Sequence, residues 1–242
     1  MLARIRSAAV LGIDAYLVEV EVDITNGLPS VATVGLPHGA VKEGRERVTA
    51  ALVNAGYSFP LKRITINLAP ADVRKDGSGF DLPIALGILA ASEQLDAGGL
   101  AEQLILGEVG LEGDLRPVRG ALSMTLAARK AGLRGVILPA ANLPEAAVVE
   151  GIEVRGARSL TEVCEHLGAG PRLTPIRVDV GALMAERAAD VVDFADVRAQ
   201  AGAKRALEVA AAGAHNILLV GPPGAGKTML ARRLPSILPG MS

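Results

Sequence analysis

The sequence predicts an α/β chain in two parts: an α+β N-terminal domain over residues 1–168, and the opening of a second, α/β module over residues 193–242. Three observations carry this. Runs of period-two alternation are interleaved with runs of helical period, a Gly- and Pro-rich stretch breaks the pattern near residue 170, and residues 221–228 form a glycine-rich loop between an apolar run and a helical pattern.

The first element is a hairpin, with residues 8–11 and 16–22 on either side of Gly12-Ile13-Asp14 and acidic residues at alternate places near its end. Asn26-Gly27-Leu28-Pro29 turns into a strand at residues 31–34. Residues 39–54 have helical spacing and stop at Ala55-Gly56. Their charges read as a solvated face with i,i+4 pairs, Lys42 with Glu46 and Glu43 with Arg47. Residues 63–68 form the next strand. A polar loop, residues 70–79, then leads into a helix over residues 80–92 that is apolar nearly all round, the mark of a buried helix. Strands at 104–109 and 113–118, a helix at 120–131, a strand at 136–138, a short helix at 144–149, a strand at 152–154 and a helix at 160–167 complete the domain. Residues 169–192 read as a linker, since the Gly and Pro content between Gly168 and Pro175 sustains neither period. A helix over residues 198–212 and a short apolar strand over residues 216–220 follow.

Residues Gly221, Pro222, Pro223, Gly224, Ala225, Gly226, Lys227 and Thr228 fit G-x-x-x-x-G-K-[ST]. The glycines let backbone N–H groups turn inward around phosphates. Lys227 reaches the β and γ oxygens, and the Thr228 hydroxyl completes the shell of a Mg²⁺ held through the nucleotide. The helix opening at Lys227 adds its positive end. ATP and Mg²⁺ are therefore the expected cofactors. Ser242 follows barely one helix later, so no acidic residue from a later strand and no arginine finger is supplied within these residues; by itself the chain is expected to be a poor ATPase.

Composition narrows the function classes. A net charge of −1 and 2% aromatic residues, with no Trp, argue against general attraction to nucleic acid and against base-stacking platforms. Cys164 is the lone cysteine, which excludes an intrachain disulfide and a multi-cysteine zinc site. His38, His166 and His215 are far apart, with no carboxylate at ligand spacing, and read as surface or packed residues. The first residues lack the apolar core of a signal peptide. No apolar run reaches the ~20 residues needed to span a membrane, so a cytoplasmic setting is expected.

Residues 41–48 (VKEGRERV), 64–72 (ITINLAPAD), 79–90 (GFDLPIALGILA) and 215–228 resemble the magnesium-chelatase-like AAA+ ATPases of the YifB/ComM type, and the resemblance covers essentially the whole chain. It implies an N-terminal domain of ribosomal protein S5 domain 2-like, or Lon-protease-like, fold. It also implies a homo-hexameric ring that drives branch migration of single-stranded or branched DNA in natural transformation. A ring reconciles the weak net charge with DNA handling, because symmetry repeats a few basic side chains. The resemblance further places residues 193–197 beside the adenine, which makes Val197 a candidate base contact; the residues equally allow Asp196 as the N-cap of an ordinary helix. Two other functions stay open: a metal-insertion ATPase of the chelatase type, whose subunits are expected to begin close to the AAA+ module, and a non-catalytic regulatory module.

The Lon resemblance also implies where a Ser-Lys dyad would sit. Lys75-Asp76-Gly77, set on a Lys-Asp-Gly-Pro-Ser-Ala-Gly loop, puts Gly79 at the serine; Pro117-Val118-Arg119-Gly120, set on Pro-Val-Gly-Gly-Leu-Lys, puts Leu122 at the lysine. Ser78 is one place off, and leucine cannot take its proton, so no peptidase activity is expected.

Overall fold

Strands β1 (Leu2–Leu11) and β2 (Asp14–Thr25) form the expected hairpin, antiparallel and in register from Leu2 opposite Asp23 to Leu11 opposite Asp14. The turn uses Gly12 at φ 66°, a left-handed backbone that glycine adopts without a Cβ penalty. The structure, a computed structural model, describes residues 1–73, 75, 77–96, 98–178 and 192–238. Two compact units make it up, Met1–Val178 and Asp179–Ser242.

In the first unit the remaining strands are β3 (Ser30–Val34), β4 (Arg63–Ala69), β5 (Gln103–Ile105), β6 (Glu108–Val109), β7 (Leu115–Arg116), β8 (Gly135–Pro139) and β9 (Glu153–Ala157). Seven of the nine described strands, β1 and β2 included, lie in one sheet in the order β3-β4-β2-β1-β5-β8-β9, and β6 pairs with β7 in a separate ribbon. The β3–β4, β1–β5, β5–β8 and β8–β9 pairs are parallel, whereas β4 runs antiparallel to β2, so the sheet is mostly parallel. Along β2 the alternate residues Val18, Val20, Val22 and Ile24 are buried, which is how the period-two pattern of the sequence turns one face of the sheet inward.

Helices α1 (Ala40–Asn54), α2 (Asp81–Ala91), α3 (Ala121–Lys130), α4 (Leu143–Ala146) and α5 (Leu160–Leu167) cover that sheet. Every residue of α2 is buried, as its all-round apolar sequence requires. The helix lies so close to the strands that a Cβ on Gly87 would stand 2.6 Å from Val22 Cγ2. One apolar cluster joins α2 and α5 to β1, β2 and β4; a second joins Met124 and Ala128 of α3 to Leu104, Val136 and Leu138. Each such Leu or Ile side chain removed from water contributes roughly 2 kcal/mol. Residues 169–178, read from sequence as linker, are tied to this unit: Leu173 N–H donates to His166 Nδ1 at 3.1 Å and Ile176 N–H to Val154 O at 2.8 Å. Of the expected linker, residues 169–192, residues 179–191 lie outside the described residues.

The second unit contains α6 (Ala201–Ala212) and α7 (Lys227–Arg233) around a small cluster of Phe194, Val197, Leu207 and Leu230. Two expectations need correcting here. Residues 216–220 are not a strand, and Leu218 and Val220 are each 85% exposed: a strand is stabilised by the backbone of a neighbour, and no described segment pairs with this one. Nor does Asp196 cap a helix. Asp193 caps the short 3₁₀ turn Phe194–Asp196, its carboxylate accepting from Ala195 N–H at 2.8 Å, and left-handed Ala199 and Gln200, both at φ 56°, delay α6 to Ala201. Among the described residues no helix is long and apolar enough to cross a membrane.

Candidate nucleotide site

Helix α7 begins at Lys227 because Gly226 turns the chain at φ 80°, and Gly224 two residues earlier does the same at φ 81°. A side chain at either would be strained. Nothing lies within 4 Å of where a Cβ of Gly224 would stand, so the backbone there is open to close approach by a ligand. Lys227 Nζ donates to the carbonyl oxygens of Gly221 and Pro222, both at 2.8 Å, which holds the ammonium over the loop. A phosphate would draw on the same three donors. Gln200 Nε2 reaches Ala225 O at 3.3 Å and ties the loop to the start of α6.

The eight motif residues are thus gathered in one loop and helix start, with Thr228 exposed in the first turn of α7. Left-handed Gly224 and Gly226, the Lys227 ammonium and the exposed Thr228 are the residues here that could hold a magnesium–triphosphate. Val197 is 2% exposed and packs with Phe194, Leu207 and Leu230.

In the first unit the stretches 41–48 and 79–90 meet at one ion pair. Arg47 Nε donates to Asp81 Oδ2 at 2.8 Å and Nη2 to Oδ1 at 3.2 Å, a forked contact that Val109 N–H joins at 3.4 Å. This corrects the expected solvated face: the Arg47 side chain is 22% exposed and Asp81 only 2%. Arg45 holds its neighbour Glu46 at 3.1 Å, and the Lys42 side chain lies outside the described residues. Gly44 is needed at the crossing, since a Cβ there would stand 2.4 Å from Asp81 Oδ1. The partners register the bridge differently. Asp81 strengthens the hold of Arg47 on its proton, while burial raises the Asp81 carboxyl above its usual range against the pull of Arg47.

The two stretches set against the Lon dyad are neighbours in space, since a Cβ on Gly79 would stand 3.4 Å from Val118 Cγ1. Leu122 offers no base, and its backbone N–H donates to Glu145 Oε1 at 3.1 Å. The Lys75 amine is buried and donates to Pro70 O; burial lowers it from the ordinary lysine value, with Asp72 opposing. Ser78 Oγ donates to Glu108 Oε2. That partner escaped the sequence reading, because thirty residues separate the two and no spacing rule links them. Among the described residues no three His, Cys, Asp or Glu side chains gather as a metal site.

The family described as "Subunit ChlI of Mg-chelatase" matches residues 20–142, and "Magnesium chelatase, subunit ChlI" matches residues 193–242. An uncharacterised protein of Mycobacterium tuberculosis is 48% identical over 241 residues, covering all of this chain and 47% of that protein. The uncharacterised protein YifB of Escherichia coli is 45% identical over 242 residues, and competence protein ComM of Haemophilus influenzae 45% over 243, each covering all of this chain and 47% of the relative. The chain therefore spans about half the length of these relatives. More distantly, Lon protease of Mycolicibacterium smegmatis is 28% identical over 176 residues (66% of this chain, 21% of that protein) and DNA repair protein RadA of Escherichia coli 38% over 76 (31% and 16%).

Proposed function

The chain belongs to the YifB/ComM family of magnesium-chelatase-related, AAA+-type proteins, and from that premise we propose that residues 221–228 bind ATP with Mg²⁺ in an ATP-driven homo-hexameric motor that acts on single-stranded or branched DNA. The observation that carries the reading is the pair of left-handed glycines running into a helix that starts at Lys227. Backbone N–H groups of the loop and Lys227 bind the phosphates, Thr228 holds the cation, and Val197 borders the base from the Phe194 cluster. The bound Mg²⁺ supplies charge neutralisation on the phosphate oxygens. The DNA half of the proposal draws on relatives named a competence protein and a DNA repair protein, and the cytoplasm is its proposed setting.

Fluorescent ATP-analogue binding to this chain tests the site: Lys227→Ala is expected to weaken it at least about tenfold, and equal binding would refute it. The motor is tested by ATP turnover of the full reading frame with and without four-way-junction DNA; stimulation that Lys227→Ala removes supports it. Turnover indifferent to DNA favours the second reading, a metal-insertion ATPase, which the matching family descriptions name.

The first unit is proposed to be a Lon-related scaffold of S5 domain 2-like fold that cleaves no peptides, because Leu122 stands where the dyad base belongs and the Lys75 amine is turned onto Pro70 O. Degradation of casein by the purified chain, lost in Ser78→Ala, would sink this part.

A further inference from the structure

The seven-stranded sheet ends at β3 on one side and at β9 on the other, and only β9 has a further segment on its outer side, where Val154 bridges to Ile176. Ser30 N–H donates to Lys62 O at 3.3 Å, so Ser30, Ala32 and Val34 turn their backbone groups toward β4, and alternation aims those of Val31 and Thr33 outward. Among the described residues no strand lies beyond them. A row of backbone donors and acceptors at a sheet edge is matched by one kind of ligand, another extended strand. Edges are ordinarily guarded by charge, yet residues 24–41 contain no Asp, Glu, Lys or Arg in a chain that is 21% charged. The flanking apolar side chains are uncovered as well, Leu28 being 89% exposed and Leu36 54%.

The residues of β3 also select which strand fits. Around Ala32 the sequence is close to a mirror image: β-branched Val31 and Thr33 stand one place away, exposed Ser30 and Val34 two places, and Leu28 and Leu36 four. Laid antiparallel on a second copy about a twofold axis at Ala32, Val31 exchanges two hydrogen bonds with Thr33 of that copy, and symmetry repeats the exchange. Ala32 then faces its own counterpart at the position without hydrogen bonds, where two strands approach most closely and a small side chain fits. Exposed Leu28 of one copy is carried toward exposed Leu36 of the other, and no like charges are opposed. A strand of unrelated sequence requires neither the mirror symmetry nor the uncharged run.

We propose that β3 is a self-association edge, at which two copies of this chain join their sheets antiparallel about a twofold axis at Ala32. Pro29 has no N–H to donate and Gly35 turns the chain at φ 91°, so the ladder is confined to residues 30–34. A ladder this short makes a dimer that forms and dissociates with concentration. The contact is isologous, and therefore separate from the head-to-tail contacts that close a ring.

Sedimentation velocity over a dilution series of the 242-residue chain tests this, in the Lys227→Ala background and without nucleotide, so that assembly driven through residues 221–228 does not contribute. A monomer–dimer equilibrium is expected. Ala32→Lys, at an exposed position, sets two like charges opposite each other and should leave the chain monomeric with its melting temperature unchanged. Introduced cysteines read the register. On oxidation Ala32→Cys should give a disulfide-linked dimer. Val34→Cys should give none by itself, because the antiparallel register holds its two copies about 14 Å apart along the strands, but should cross-link when mixed with Ser30→Cys. A chain that is monomeric at every concentration, a dimer that survives Ala32→Lys, or Val34→Cys cross-linking to itself as readily as Ala32→Cys overturns the proposal.

Discussion

Cys164 lies against Tyr57 in the core of the first unit, and burial raises its thiol above the ordinary value of 9.0. The thiolate is the reactive form, so Ellman's reagent is expected to leave the folded chain unlabelled and to label it only on unfolding; rapid labelling without denaturant would contradict this. Lys75 gives a second residue-scale expectation. Burial lowers its amine below the ordinary 10.5, so in the window between the lowered value and 10.5 the unfolded chain holds a proton that the folded chain has released. Stability gains with pH across that window. The stability difference between wild type and Lys75→Met, read from urea midpoints, should therefore shift toward wild type from neutral pH to about pH 10; a constant difference would refute it. A role can be proposed from sequence where chemistry fixes an offset, as with Lys227 and Thr228 after four free positions and a glycine. It is illegible where the partner is set by tertiary contact, as with Ser78 on Glu108 and Arg47 on Asp81.

That last pair pins α1 to α2, and its worth belongs to the two helices together. Arg47→Met leaves the Asp81 carboxylate buried without its partner, at an expected cost of about 3 kcal/mol in urea denaturation. Arg47→Met with Asp81→Leu should recover most of this, because an apolar pair needs no compensation; a double variant no better than the single would tell against the account. At this scale helix α2 could be read from sequence because its apolar character runs all round the helix, and the hairpin because alternation is local. Residues 216–220 misled for the opposite reason. An apolar run reports that a segment can be covered, whereas a strand needs a specific neighbour, and the described residues supply none.

The two units rest on cores of unequal size, an extended cluster through α2 and the sheet in one and a cluster around Phe194, Val197, Leu207 and Leu230 in the other. Hydrogen exchange should reflect this, with amides of residues 192–238 exchanging well before those of β1, β2 and α2, and equal protection would count against it. Whole-sheet order was not readable from the chain, because nothing in the local pattern of residues 31–34 shows that the strand lies parallel to β4 at the sheet edge. The seam of that sheet carries a kinetic consequence. β1 meets β2 across a two-residue turn, but it meets β5 by joining Arg6 to Leu104, far along the chain. Closing the short loop loses little chain entropy and closing the long one loses more, so the hairpin is the natural nucleus and β5, β8 and β9 assemble upon it afterwards. Substitutions in the Gly12 turn should then slow refolding, while equally destabilising ones in β9 should chiefly hasten unfolding.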